Sequence, residues 1–80
     1  MALSAAEHTS LVTFGKNLRE IRKAKELSQE KLAEMADLHP RALQKIEAGD
    51  VNVTLSTILR LQKVLGCTWE SLFRPFLRKV

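Results

Sequence analysis

The chain reads as an all-α domain of five short helices, on three observations. Apolar residues recur at three- and four-residue spacing, as in Leu11, Phe14, Leu18 and Ile21, which gathers them on one face of a helix. Ser28, Thr54 and Thr68 stand before later apolar runs, and Gly49 and Gly66 follow two of them; these are residues that start and stop helices. Glycine (3) and proline (2) are too scarce for a turn-rich all-β fold. A length of 80 residues suits one domain, and a 45% hydrophobic composition is too apolar for a disordered chain.

Taken in order, residues 1–10 read as a flexible N-terminal arm or frayed helix, and 11–80 as a single domain. The first helix is predicted over about 11 to 25, with Lys16, Arg19, Arg22 and Lys23 on its polar circumference. Leu27-Ser28 breaks that pattern. Ser28 caps a second helix at about 29 to 36, where Glu30 favours the helix dipole and Leu32, Ala33 and Ala36 form a small inner face. Asp37-Leu38-His39 is a brief connection. Pro40 suits the first turn of a third helix, about 40 to 47, which Gly49 ends. Thr54 caps a fourth helix, about 55 to 65, ended by Gly66; Thr68 caps a fifth from Trp69, which Pro75 interrupts.

Lys+Arg 13 against Asp+Glu 9 gives a net charge of +4, which favours an acidic partner such as nucleic acid. The lone Cys67 cannot close an internal disulfide, so a reducing, cytoplasmic home is expected. No apolar run reaches the roughly 20 residues a membrane span requires. Met1–His8 lacks the basic and apolar regions of a signal peptide. His8, His39 and Cys67 lack zinc-ligand spacing, and neither a phosphate-binding glycine loop nor a nucleophile–base pair is present. Neither enzymatic activity nor a cofactor or metal is expected.

Two short helices joined by three or four residues make a helix-turn-helix candidate at helices 2 and 3. Leu27-Ser28-Gln29-Glu30-Lys31-Leu32-Ala33, followed by Ile46-Glu47-Ala48-Gly49, closely resembles the Cro/repressor-type (XRE) helix-turn-helix family of bacteria and phages. The resemblance covers roughly Phe14 to Phe73 and implies a compact five-helix, lambda-repressor-like fold. Within the family, Phe14-Gly15, Leu18-Arg19-Glu20, Gly49, Asn52 and Leu55 look most like the small controller proteins of restriction–modification systems. Helix 3 departs from the usual controller opening of Arg-Ser/Thr-Tyr, reading Pro40-Arg41-Ala42-Leu43 instead.

With Leu43 and Ile46 facing inward, Arg41, Gln44 and Lys45 turn outward. Arg or Lys donates to guanine O6 and N7, and Gln pairs with adenine N6 and N7; ordinary surface residues are the competing reading. His39 stands beside them as a further candidate for a base. The resemblance implies that Gln29 and nearby amides hold a backbone phosphate, a role that competes with simple capping. Lys23 and Asn52 are weaker phosphate candidates. The resemblance also pairs Arg22 with Glu47, which would lock the recognition helix to helix 1; two independent surface charges are the alternative. Glu30 and Glu34 match positions where related phage activators touch the sigma subunit of RNA polymerase, although acids early in a helix also serve the dipole.

The apolar residues of helix 4 span roughly 220° of a helical wheel, where one core-facing stripe needs about 100°. A homodimer through Leu61, Val64, Leu65, Trp69, Phe73, Phe76 and Leu77 would cover the excess, with Trp69 and Phe73 shared with the protomer core. Its two recognition helices would stand about 34 Å apart, one turn of a palindromic operator. A sequence-specific transcriptional regulator of double-stranded DNA is therefore expected. An antitoxin-like protein-interaction module of helix-turn-helix ancestry is the alternative.

Overall fold

The structure is a computed structural model that describes residues 3–74. Among them are five helices, α1 (Ala5–Ala24), α2 (Gln29–Met35), α3 (Pro40–Ala48), α4 (Leu55–Leu65) and α5 (Trp69–Leu72), and no strand. Local chemistry fixes most of their ends. The hydroxyls of Ser28, Thr54 and Thr68 accept from the backbone N–H groups of Lys31, Thr57 and Ser71, each satisfying a donor that has no partner within its helix.

The three long connections share one device. Beyond α1, Leu27 N–H donates to the Arg22 carbonyl; beyond α2, Leu38 to Ala33; beyond α3, Asp50 to Lys45. In each case the residue just before takes a left-handed conformation: Glu26 (φ 58), Asp37 (φ 57) and Gly49 (φ 77). This is the Schellman motif, which satisfies the last carbonyls and turns the chain sharply. Only one of the three sites uses glycine, the residue for which that conformation is easiest.

The main departure from the sequence expectation is at the start. Helix α1 begins at Ala5, six residues before the apolar periodicity, so most of the 1–10 arm is helical. Its cause is a reciprocal capping box. Ser4 Oγ accepts from Glu7 N–H at 3.1 Å, while Ser4 N–H donates to Glu7 Oε1 at 2.8 Å. The side chains of 5–10 are exposed, which explains why hydrophobic spacing does not announce them.

Every helix sends at least one fully buried leucine to a common core: Leu18, Leu32, Leu43, Leu61 with Leu65, and Leu72. Phe14, Ala33, Ala36 and Ile46 complete it. This placement corrects the assignment of Leu61 and Leu65 to a subunit interface. At 0% and 1% exposure they lie wholly inside the protomer. The wheel shows that α4 has more apolar arc than one stripe needs, but not which part faces inward; with Ile58 they form that inward stripe. Phe73 sits between Phe14 and Trp69, its ring centroid 5.5 Å from one and 6.2 Å from the other. Trp69 remains 41% exposed. Phe76, Leu77 and Pro75 lie outside the described residues. No helix among the described residues is long and apolar enough to cross a membrane.

The contact that positions α3 is a close crossing with α1. A Cβ added to Gly15 would lie 2.6 Å from the Ile46 carbonyl oxygen and 2.8 Å from the Glu47 carbonyl carbon, so only glycine lets the two backbones meet. The next contact along is equally tight, since a Cβ on Gly49 would lie 2.7 Å from Val12 Cα.

Gly15→Ala is expected to lower the melting temperature, even though alanine gains about 1 kcal/mol of helix propensity at a free position. Overpacking costs about 1–3 kcal/mol, and each kcal/mol is about 4–8 °C in a domain of this size. A melting temperature equal to or above the parent's would contradict the crossing. A second expectation concerns pH. The Ser4 N–H and hydroxyl hold the Glu7 carboxyl below its ordinary range. The box therefore contributes above the ordinary glutamate value and is lost as pH falls through the lowered folded value. Amide-exchange protection at residues 4–8, taken relative to the intrinsic rate at each pH, should fall across that range while Leu18 stays protected, and Glu7→Gln should abolish that fall in protection.

Candidate nucleic-acid interface

Helix α3 has two unlike faces. Leu43, Ile46 and Glu47 are buried; Arg41, Gln44, Lys45 and Ala48 are exposed. The exposed set recurs at three- and four-residue spacing and so forms one face, bearing cationic and amide side chains. Its N-terminus is set by His39, whose Nδ1 accepts from Arg41 N–H at 3.1 Å, while Pro40 fills the first helical position. Capping engages Nδ1, leaving Nε2 as the His39 ring atom that can meet a base.

The buried end of α3 carries the most constrained polar group of the fold. Arg22 on α1 meets Glu47 in a two-pronged contact, Nε to Oε2 at 2.7 Å and a terminal nitrogen to Oε1 at 3.1 Å. The pair is nearly sealed from solvent, with side-chain exposures of 9% and 4%. The remaining guanidinium nitrogen donates to the Leu27 carbonyl at 2.8 Å, and Gln29 Nε2 donates to Glu47 Oε1 at 2.8 Å. One cluster thus joins α1, the turn before α2, the first residue of α2, and α3. Fork-to-fork geometry of this kind fixes orientation as well as energy.

That arrangement gives Gln29 a role the sequence does not disclose. One hydrogen of its amide nitrogen is given to Glu47, so the side chain braces the buried pair before it can do anything for a phosphate. A cleft runs beside it between α1, α2 and α3, lined among others by Arg19, Ser28, Gln29 and Gln44. On the other side of α3, Arg41, Lys45, Asn52, Thr54 and Thr57 border a second groove. The exposed face of α3 is therefore flanked by a polar cleft on one side and, on the other, by a groove whose floor is largely apolar, with Leu38, Ile46, Val51 and Val53 beneath its polar rim. Lys23 is exposed on α1, outside both. Glu30 and Glu34 are exposed on α2, Glu34 being tied to Lys31 by a surface pair at 3.3 Å.

Two short helices at a fixed angle, with a polar outer face on the second, are the geometry of a helix-turn-helix. Residues 18–72 match the helix-turn-helix protein family. The chain belongs to the Cro/repressor-type helix-turn-helix family. It is 46% identical over 54 residues to control protein C.BamHI of Bacillus amyloliquefaciens, covering 66% of this chain and 67% of that protein. Control protein C.SmaI of Serratia marcescens is 44% identical over 66% of this chain and 63% of its own length. The transcriptional regulator PuuR of Escherichia coli K12 is 39% identical over 74% of this chain, which spans only 32% of PuuR.

Among solved structures, the restriction–modification controller protein C.AhdI of Aeromonas hydrophila superposes with a TM-score of 0.78 at 43% identity, covering 81% of this chain and 98% of that one. The hypothetical transcription factor NHTF of Neisseria gives 0.79 at 26% identity, over 99% of this chain and 91% of its own.

Some of what holds the helix-turn-helix in place does not show in the sequence. Gly15 belongs to the family resemblance, but its role as the crossing point of α1 and α3 does not follow from it. The Gln29–Glu47 bond is hidden, as is the role of Asn17, whose amide donates to the carbonyls of Leu72 (2.9 Å) and Arg74. Asn17 thereby ties the end of α5 back to α1. A polar residue within a three-four apolar pattern is the one sequence signal that marked it.

The buried pair yields a thermodynamic test. Arg22→Met should cost about 3–5 kcal/mol by leaving the Glu47 carboxylate buried without its cation, whereas Arg22→Met with Glu47→Leu should recover most of that stability. Chemical denaturation of the two single variants and the double checks it. Independent single effects that simply add would contradict the coupling.

Proposed function

We propose that this protein is a sequence-specific DNA-binding transcriptional regulator that binds a palindromic operator as a homodimer and controls a restriction–modification system. DNA-binding transcription regulation is common to its family and to the named relatives. The narrower controller assignment rests on the two control proteins and C.AhdI. The single observation that carries the reading is the two-faced α3. Its inner side is held by the core and the Arg22–Glu47 pair, and its outer side presents Arg41, Gln44 and Lys45 to solvent.

In this reading α3 lies in the major groove, with Arg41 and Gln44 reading base edges from its N-terminal half and Lys45 and His39 beside them. Lys23, Asn52 and the free hydrogen of the Gln29 amide meet phosphates, which set position without carrying sequence. Exposed Glu30 offers a contact to the sigma subunit of RNA polymerase. The dimer uses the apolar face of α4 and α5 that the core leaves open. Leu55 and Leu59 are 70% and 48% exposed and Trp69 is 41% exposed, with Val64 and Phe73 half-buried. A cytoplasmic location accords with the unpaired Cys67.

Arg41→Ala should weaken binding to the cognate duplex by about 1–3 kcal/mol and relax base preference at one position per half-site. Affinity for random duplex should change little. Equal weakening on both would make Arg41 a phosphate contact instead. Sedimentation at micromolar concentration should give twice the protomer mass, and Leu59→Glu should return it to one; a strict monomer for the parent chain would remove the dimer.

A further inference from the structure

Helix α1 carries three cations that neither the core nor the ion-pair network uses. Lys16, Arg19 and Lys23 are exposed, and their spacing of three and four places them on one face. Among the described residues the salt bridges are Arg22–Glu47 and Lys31–Glu34, so none of the three is neutralised by an ion pair. Glu20 is the one acid bordering the same shallow groove, which leaves the stripe at two net positive charges. Like charges one turn apart destabilise a helix by about 0.2–0.5 kcal/mol per pair. Glu20 stands one turn from both Lys16 and Lys23 and offsets that repulsion, so the face costs the fold little while keeping its net positive charge.

Its position gives it a use. Arg19 borders the stripe's own groove and also the cleft that holds Gln29 and the recognition-helix residue Gln44. From Lys16 to Lys23 the helix rises about 10 Å, long enough to reach neighbouring phosphates of one DNA strand. We propose that Lys16, Arg19 and Lys23 form a second DNA contact, outside the helix-turn-helix, that holds the phosphate backbone flanking the groove read by α3. It rests on the DNA-binding reading above and extends that reading's single α1 contact, Lys23, to Lys16 and Arg19, making a surface that the recognition motif does not contain. The contact is to charge alone, so it strengthens binding to every sequence equally.

The experiment is a salt titration of binding to a random-sequence duplex, followed by fluorescence anisotropy, for the full chain. Every phosphate that the protein no longer neutralises makes the plot of log affinity against log salt shallower by about 0.9. Lys16→Gln with Arg19→Gln is expected to flatten the slope by that amount for each residue, to keep the parent's melting temperature, and to leave the preference for cognate over random duplex unchanged. Arg19→Lys keeps the parent slope. Lys63→Gln, an exposed cation on α4, also keeps it. A Lys16/Arg19 variant with the parent's slope would overturn the second contact, as would a Lys63 variant that flattens it equally, since net charge would then explain everything. Failure of the parent chain itself to bind the duplex at low salt would instead overturn the DNA-binding reading beneath it.

Discussion

A carboxylate placed almost out of reach of water has to be compensated, and Glu47 is compensated by three donor nitrogens from two side chains. Arg22 grips it with two nitrogens, Gln29 adds a third donor, and the guanidinium's spare nitrogen reaches back to the Leu27 carbonyl. Each partner comes from a different stretch of chain, so the cluster closes only when α1, α2 and α3 have their native arrangement. Buried pairs of this sort add little net stability over apolar packing of the same shape, but they are costly to break. That asymmetry makes misplacement of α3 expensive.

Packing supplies the other half of the constraint. Gly15 lets α1 lie directly on the carbonyls at the C-terminal end of α3, and Gly49 lets the chain leave α3 against Val12. Helix α3 is thus held at its inner side and its far end, while its outer side stays open to solvent. Interiors are too densely packed for gradual adjustment, so a helix held this way presents Arg41, Gln44 and Lys45 in a fixed register. A preorganised backbone has less freedom to lose on binding than a mobile one, and a rigid inner side is what the proposed reading by the outer one requires.

The helices were legible wherever side chains both alternate with the core and announce their caps. Ser28, Thr54 and Thr68, with Gly49 and Gly66, mark ends that apolar spacing already suggests. Residues 5–10 were not legible by spacing, because they bury nothing; Ser4 and Glu7 carried the signal instead, three residues apart in the capping-box pattern. The left-handed turns at Glu26 and Asp37 were hidden, since neither acid advertises that conformation as glycine does. At the site, the outward face of α3 follows from where Leu43 and Ile46 point. The Arg22–Glu47 contact instead came from family resemblance, because residues so distant in sequence disclose no contact by themselves. The division of α4 into a core stripe of Ile58, Leu61 and Leu65 and an open face of Leu55 and Leu59 emerges only from the packed fold. A wheel measures how wide an apolar arc is, whereas its direction depends on the neighbours.

If the buried brace fixes α3 and the outer face does the reading, sequence preference must change locally when one outer side chain changes. Enrichment of bound duplexes from a randomised DNA pool, carried out in parallel with the parent chain and Arg41→Ala, tests this most directly. Both proteins should select a two-fold symmetric motif, differing at one base position in each half and matching elsewhere. Identical motifs from the two proteins, or a parent motif without symmetry, would contradict it.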